Sequence, residues 1–126
     1  MSTRLYTRDH TWVDADRLRA RVGISDFAQA ELGDIAYVQL PVPGAHVQRG
    51  EVVCTVDSLK SSSEIYAPVS GIIAEVNSIL GTEQNCALVN RDPLGEGWLV
   101  VIEMTATEEL ELLMAEAEYD AYTSGA

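Results

Sequence analysis

The chain has 126 residues, about one domain's length, and 47% of them are apolar, enough for a small core. Twenty acidic side chains against eight basic ones leave a formal charge of −12, which excludes a phosphate-backbone partner, because that needs a basic footprint. No apolar run reaches the roughly eighteen residues of a membrane span and residues 1–8 show no leader pattern, so a cytoplasmic protein of one domain (residues 1–126), with no membrane and no nucleic-acid partner, is expected.

Thr11-Trp12-Val13 is a short predicted strand and Asp14-Ala15-Asp16 a turn. Residues 17–24 alternate apolar and polar, so they complete a hairpin with three arginines on its wet face. Ser25 is placed to cap a short helix through Leu32, with Asp26 in its first turn and Gly33 at its end. Residues 34–40 return to strand, Pro41-Val42-Pro43-Gly44 stops it, and Gln48-Arg49-Gly50 turns the chain again. Alternation resumes over 51–57, a polar tip covers 58–63, and strands at 64–67 and 72–76 flank the break at Pro68 and Ser70-Gly71. Residues 77–90 read as short turns with a helical turn, 92–97 as a loop, and 98–104 as a buried strand. Thr105 and Glu108 form a predicted capping box, with Leu110, Leu113, Met114 and Ala117 at helical spacing behind it. The glutamates of that segment (108, 109, 111, 116 and 118) read as its solvated face.

The charge is unevenly placed. Residues 1–50 hold six arginines and six acids, whereas 51–126 hold fourteen acids against Lys60 and Arg91. Lys60 is the only lysine in the chain. Arginine replaces lysine as a surface charge, but a guanidinium is a far poorer amine to acylate. A hairpin turn also gives a long side chain free sweep, so Lys60 is the candidate chemical site.

No other constellation competes with it. Ser58 is not three residues before Lys60, and Gly95 and Gly97 lack the third glycine of a dinucleotide loop. The two histidines and two cysteines have no metal spacing, so neither a catalytic set nor a metal site is expected. Cys54, between Val52 and Val56, reads as a core residue, Cys86 as inert, and neither as half of a disulfide. His46 falls in a turn; Trp12, Trp98 and Tyr37 read as core or rim aromatics.

The stretch Asp57-Ser58-Leu59-Lys60-Ser61-Ser62-Ser63-Glu64-Ile65-Tyr66-Ala67-Pro68-Val69-Ser70-Gly71 resembles the lipoyl-attachment hairpin of the glycine cleavage H-protein family. The likeness continues through Tyr6-Thr7-Arg8-Asp9-His10-Thr11-Trp12, Val22-Gly23-Ile24, Leu32-Gly33-Asp34, Leu40-Pro41, Leu88-Val89-Asn90 and Gly95-Glu96-Gly97-Trp98-Leu99. It implies a mainly β fold with peripheral helices, a flattened barrel or barrel-sandwich hybrid plus a C-terminal helix. It also implies lipoate as a covalent cofactor on Lys60, with Asp57, Leu59, Ser61 and Glu64 forming the hairpin around it. Biotin-accepting hairpins place Met on both sides of the lysine, where this chain has Leu59 and Ser61.

The implied role is a non-catalytic swinging-arm carrier, whose chemistry belongs to its cofactor and partners. Those partners would be a lipoate ligase or lipoyl/octanoyl transferase, and the decarboxylase, aminomethyltransferase and dihydrolipoamide dehydrogenase of glycine cleavage. In that family a carboxylate in a His-Glu-Trp motif helps hold the arm's cationic cargo in a surface cleft. Here the motif is His10-Thr11-Trp12, so Asp9, His10 and Thr11 are the arm-cleft candidates, with Asp9 or Glu64 left to supply the charge. A neutral hydroxyl lacks the charge-assisted part of such a bond, though a sulfur cargo would not need it. The alternative is therefore an H-like lipoate-binding protein serving a heterodisulfide-reductase-like sulfur-oxidation complex. A cofactor-free scaffold is a third reading.

Overall fold

The computed structural model describes residues 4–82 and 85–124. Residues 1–3, part of the N-terminal stretch without a leader pattern, 83–84, within the segment predicted as turns, and 125–126 lie outside the described residues. The elements run β1 (Arg4–Tyr6), β2 (Thr11–Asp16), β3 (Arg19–Ile24), α1 (Asp26–Leu32), β4 (Ile35–Gln39), β5 (His46–Val47), β6 (Val52–Ser58) and β7 (Ser62–Tyr66). They continue with β8 (Gly71–Val76), α2 (Leu88–Arg91), β9 (Val100–Met104), β10 (Met114–Ala115) and α3 (Glu116–Ser124). Two 3-10 turns, Ser78–Gly81 and Thr107–Leu112, lie between them.

The strands form an antiparallel seven-stranded sheet in the order β10-β1-β2-β3-β9-β8-β5 and a three-stranded sheet in the order β4-β6-β7. Their inner faces share one core, to which the larger sheet gives Val13, Val22, Ile73 and Ile102 and the smaller gives Val38, Val56 and Ile65. Alternating strands can bury one face this way while the other stays wet. The expected mainly β class with peripheral helices and a C-terminal helix is borne out. A second, aromatic cluster joins Tyr6, Trp12 and Tyr119, with Leu94, Trp98 and Met114 packed on it.

Several predicted boundaries move. The first hairpin turns at Arg17-Leu18, because Asp16 still pairs with Arg19. Val13 and Ala15 both pack on the core, which carries β2 past the predicted turn at 14–16. His46 lies in the two-residue β5, paired with Ile72, and not in a turn. Tyr37 stands 52% exposed on the outer face of the small sheet.

The C-terminal segment departs most. The capping box at Thr105 and Glu108 does not form; residues 107–112 wind as a 3-10 turn, β10 follows, and the helix starts only at Glu116. Two long-range claims on this segment explain the break. Met114 and Ala115 pair with Tyr6 and Leu5 of β1, which consumes backbone groups that a continuous helix would have used. Glu109 is no solvated side chain: its carboxylate accepts hydrogen bonds from the Ser70 amide (2.6 Å) and hydroxyl (2.9 Å).

Candidate functional site

Strands β6 and β7 form a hairpin whose last pair is Asp57 with Ser62, leaving Leu59, Lys60 and Ser61 as the turn. Ser58 closes it. Its backbone amide and hydroxyl both donate to the Ser61 carbonyl (2.7 and 3.1 Å), and its Oγ accepts the Lys60 and Ser61 amides (3.3 and 3.0 Å). Short hydroxyl side chains do this readily, which is why they favour turns over ladders. Lys60 is exposed, and among the described residues its amine is in no ion pair.

The tip leans on the corner between α1 and β4. Ser25 caps α1 by accepting the Ala28 amide, and Gly33 ends the helix at φ +78, a conformation that disfavours a Cβ. The next residue, Asp34, accepts the Leu59 amide through its carbonyl (3.0 Å). The lysine stem lies over Gly33: a Cβ there would stand 3.4 Å from Lys60 Cε. Leu59 is 79% exposed beside it. Asp57 accepts a hydrogen bond from the Ser62 hydroxyl, and Glu64, opposite Thr55, is exposed on β7. Asp57, Leu59, Lys60, Ser61 and Glu64 thus lie on one hairpin, with Asp57 and Glu64 on the same face.

The three arm-cleft candidates separate. Asp9 is exposed and lines a cleft of about 600 Å³, together with Arg8, Arg49, Tyr66, Glu111 and Glu118. Tyr66 ends β7, so the hairpin that presents Lys60 at its tip reaches this cleft at its base. Thr11 is 1% exposed, and its hydroxyl has no hydrogen-bond partner among the described residues. His10 joins the aromatic cluster. Its Nδ1 is 2.7 Å from the Tyr119 hydroxyl, which lies 2.7 Å from Ser25 Oγ, and its ring packs on Phe27 at 4.6 Å.

In the neutral tautomer that carries its proton on Nε2, His10 Nδ1 accepts from the Tyr119 hydroxyl, which leaves the Ser25 hydroxyl to donate to Tyr119. Burial pulls the His10 pKa below 6.5, against the opposing influence of the Asp9 and Glu31 carboxylates. The folded chain therefore resists a proton that the unfolded chain accepts. Stability that is complete above the ordinary histidine pKa is lost as pH falls through it toward the folded value, and then levels. Urea midpoints measured from pH 8 to 5 should fall in the parent and less so in His10→Asn, since asparagine tolerates the residue's φ of +67. Equal slopes in the two proteins would remove His10 from the account.

Cys54 is buried, with burial pushing its thiol up to about 12, which fits the core role expected of it. Cys86 is also buried, and its Sγ lies 3.3 Å from the Ile35 carbonyl. Among the described residues no His, Cys, Asp and Glu converge as metal ligands, and no helix is long and apolar enough to cross a membrane.

Sequence reasoning overlooked the residues that hold the tip. Ser58 carried a detectable signal, a short hydroxyl beside a turn, whereas Asp34 acts through its backbone carbonyl; Tyr119, away from the tip, reaches His10 from 109 residues along the chain.

A family model described as glycine cleavage H-protein matches residues 4–125. A glycine cleavage system H protein of Thermotoga maritima is 45% identical over 122 residues, covering 97% of each chain. One from Bacillus velezensis is 42% identical over 118 residues, covering 94% of this chain and 91% of its own. The crystal structure of a glycine cleavage system H protein from Mycobacterium marinum superimposes with a TM-score of 0.86 at 38% identity, covering 98% of both chains. Membership bears out the expectation of a non-catalytic component. The chain belongs to the glycine cleavage H-protein family.

Proposed function

We propose that the protein is a lipoyl carrier of glycine cleavage, one domain over residues 1–126 and cytoplasmic, with lipoate joined to Lys60 Nζ as an amide. The observation that carries this reading is the sole lysine, exposed at a hairpin tip and free of any ion pair among the described residues. An attaching enzyme needs such an amine, so the site fits the group. Lipoate supplies a reversible dithiol that takes up and releases the aminomethyl cargo. The chain itself fixes the turn through Ser58, seats the lysine stem over Gly33, and offers Asp9 and Glu64 as charges for the cargo. A lipoate ligase or lipoyl/octanoyl transferase loads it, and the decarboxylase, aminomethyltransferase and dihydrolipoamide dehydrogenase are its partners. The acidic half of the chain suits basic partner faces, with association slowing as salt rises.

Incubation with a lipoate ligase, lipoate and ATP is expected to add one lipoyl mass, mapped by peptide mass spectrometry to Lys60. Absence of the adduct under conditions that modify a control carrier would defeat the reading. The loaded protein is then expected to support glycine decarboxylation with the partner enzymes. One observation favours the sulfur-carrier alternative: the neutral, buried Thr11 stands where the family has a carboxylate. The relatives at 42–45% identity named for glycine cleavage favour the first reading, and failure in the decarboxylation assay despite full lipoylation would favour the second.

A further inference from the structure

The corner that supports the lysine is itself held from a distant point in the chain. Asn90, in α2, makes three side-chain hydrogen bonds. Its Oδ1 accepts the Ile35 amide (2.9 Å), while its Nδ2 donates to the Gly33 carbonyl (2.8 Å) and to Gln29 Oε1 (3.0 Å). These partners are the last turn of α1, its terminating glycine and the first residue of β4. Between them sit the two contacts on which the tip rests: the Asp34 carbonyl that takes the Leu59 amide, and the Gly33 surface beneath Lys60.

We propose that Asn90 is a positioning residue for the attachment lysine. It clamps the α1–β4 corner, and the corner fixes the tip of the β6–β7 hairpin for the enzyme that acylates Lys60. The inference rests on the reading of Lys60 as the lipoyl site. Only an amide meets the requirement, since one end must accept and the other must donate twice. A carboxylate would face the Gly33 and Gln29 oxygens with no proton, and an apolar side chain would leave all three partners unpaired. Once the corner loosens, the turn samples more orientations, and fewer of them match the attaching enzyme.

The test uses Asn90→Asp, which keeps an acceptor for the Ile35 amide, with Asn90→Ser if the carboxylate prevents folding. Hydrogen exchange at the Leu59 amide, read by NMR well below Tm, is expected to quicken. Lipoate attachment by the ligase is expected to lose about three- to tenfold in kcat/KM, mostly through KM, the scale of one lost hydrogen bond. A merely structural asparagine would lower Tm while leaving Leu59 exchange and attachment kinetics at parent values, and that result would overturn the proposal. If the parent itself takes no lipoate, the carrier reading fails, while Leu59 exchange still decides whether Asn90 governs the tip.

Discussion

Lys60→Arg is expected to abolish lipoate attachment completely while leaving the fold intact. The two outcomes separate because the residue's chemistry and its structural role are separate. Structurally the lysine is an exposed side chain with no ion pair among the described residues, and its stem passes over Gly33, where an arginine stem also fits. Surface substitutions of this kind change stability by about 0.5 kcal/mol or less. Chemically the replacement is total, because amide formation needs a nitrogen lone pair and the guanidinium, protonated and delocalised, offers none at neutral pH. Intact mass spectrometry after ligase treatment should show no adduct on the variant, with the urea midpoint and far-UV spectrum of the parent. Since the chain has no second lysine, any adduct remaining on Lys60→Arg could not be a lysine amide, and the assigned site would be wrong.

The hairpin that makes this experiment clean was legible because its signals are local. Alternation over 51–57 and the polar run at 58–63 act within a few residues, and β6, its turn and β7 follow them closely. The same holds for α1, where Ser25 and Gly33 mark both ends correctly. What failed was local spacing overruled by distant partners. Leu110, Leu113, Met114 and Ala117 carry a helical period, yet Ser70 draws in Glu109 and β1 takes Met114 and Ala115 into the sheet. Spacing within the segment holds no trace of those partners, since they lie 39 or more residues away. At the site the division is similar. Lys60 announced itself by being alone, but the support from Gly33, Asp34 and Asn90 depends on a corner that only the folded chain assembles.

Two positions of the family motifs, Trp12 and Gly23, have a physical reason in the packing, and this pair yields the largest expected loss of stability. Trp12 of β2 and Gly23 of β3 are direct partners across the sheet. The indole is fully buried, donates through Nε1 to the Pro93 carbonyl (2.9 Å), and carries the Arg4 guanidinium over its ring at 5.0 Å. It lies against Gly23 so closely that an added Cβ would stand 2.7 Å from its Cε2, Cζ2 and Nε1 atoms. Trp12→Ala should cost about 3–5 kcal/mol, as expected for emptying a buried aromatic site. Gly23→Ala should cost about 1–3 kcal/mol by the opposite route, overpacking that pushes the ring off Pro93 and away from the Tyr6–Tyr119 stack beside it. The decisive measurement is the double variant. Without the indole, the methyl group at position 23 meets no ring, so the combined loss should fall short of the sum by at least about 1 kcal/mol. Additivity within about 0.5 kcal/mol in urea unfolding would mean that the glycine serves some need other than room for the tryptophan.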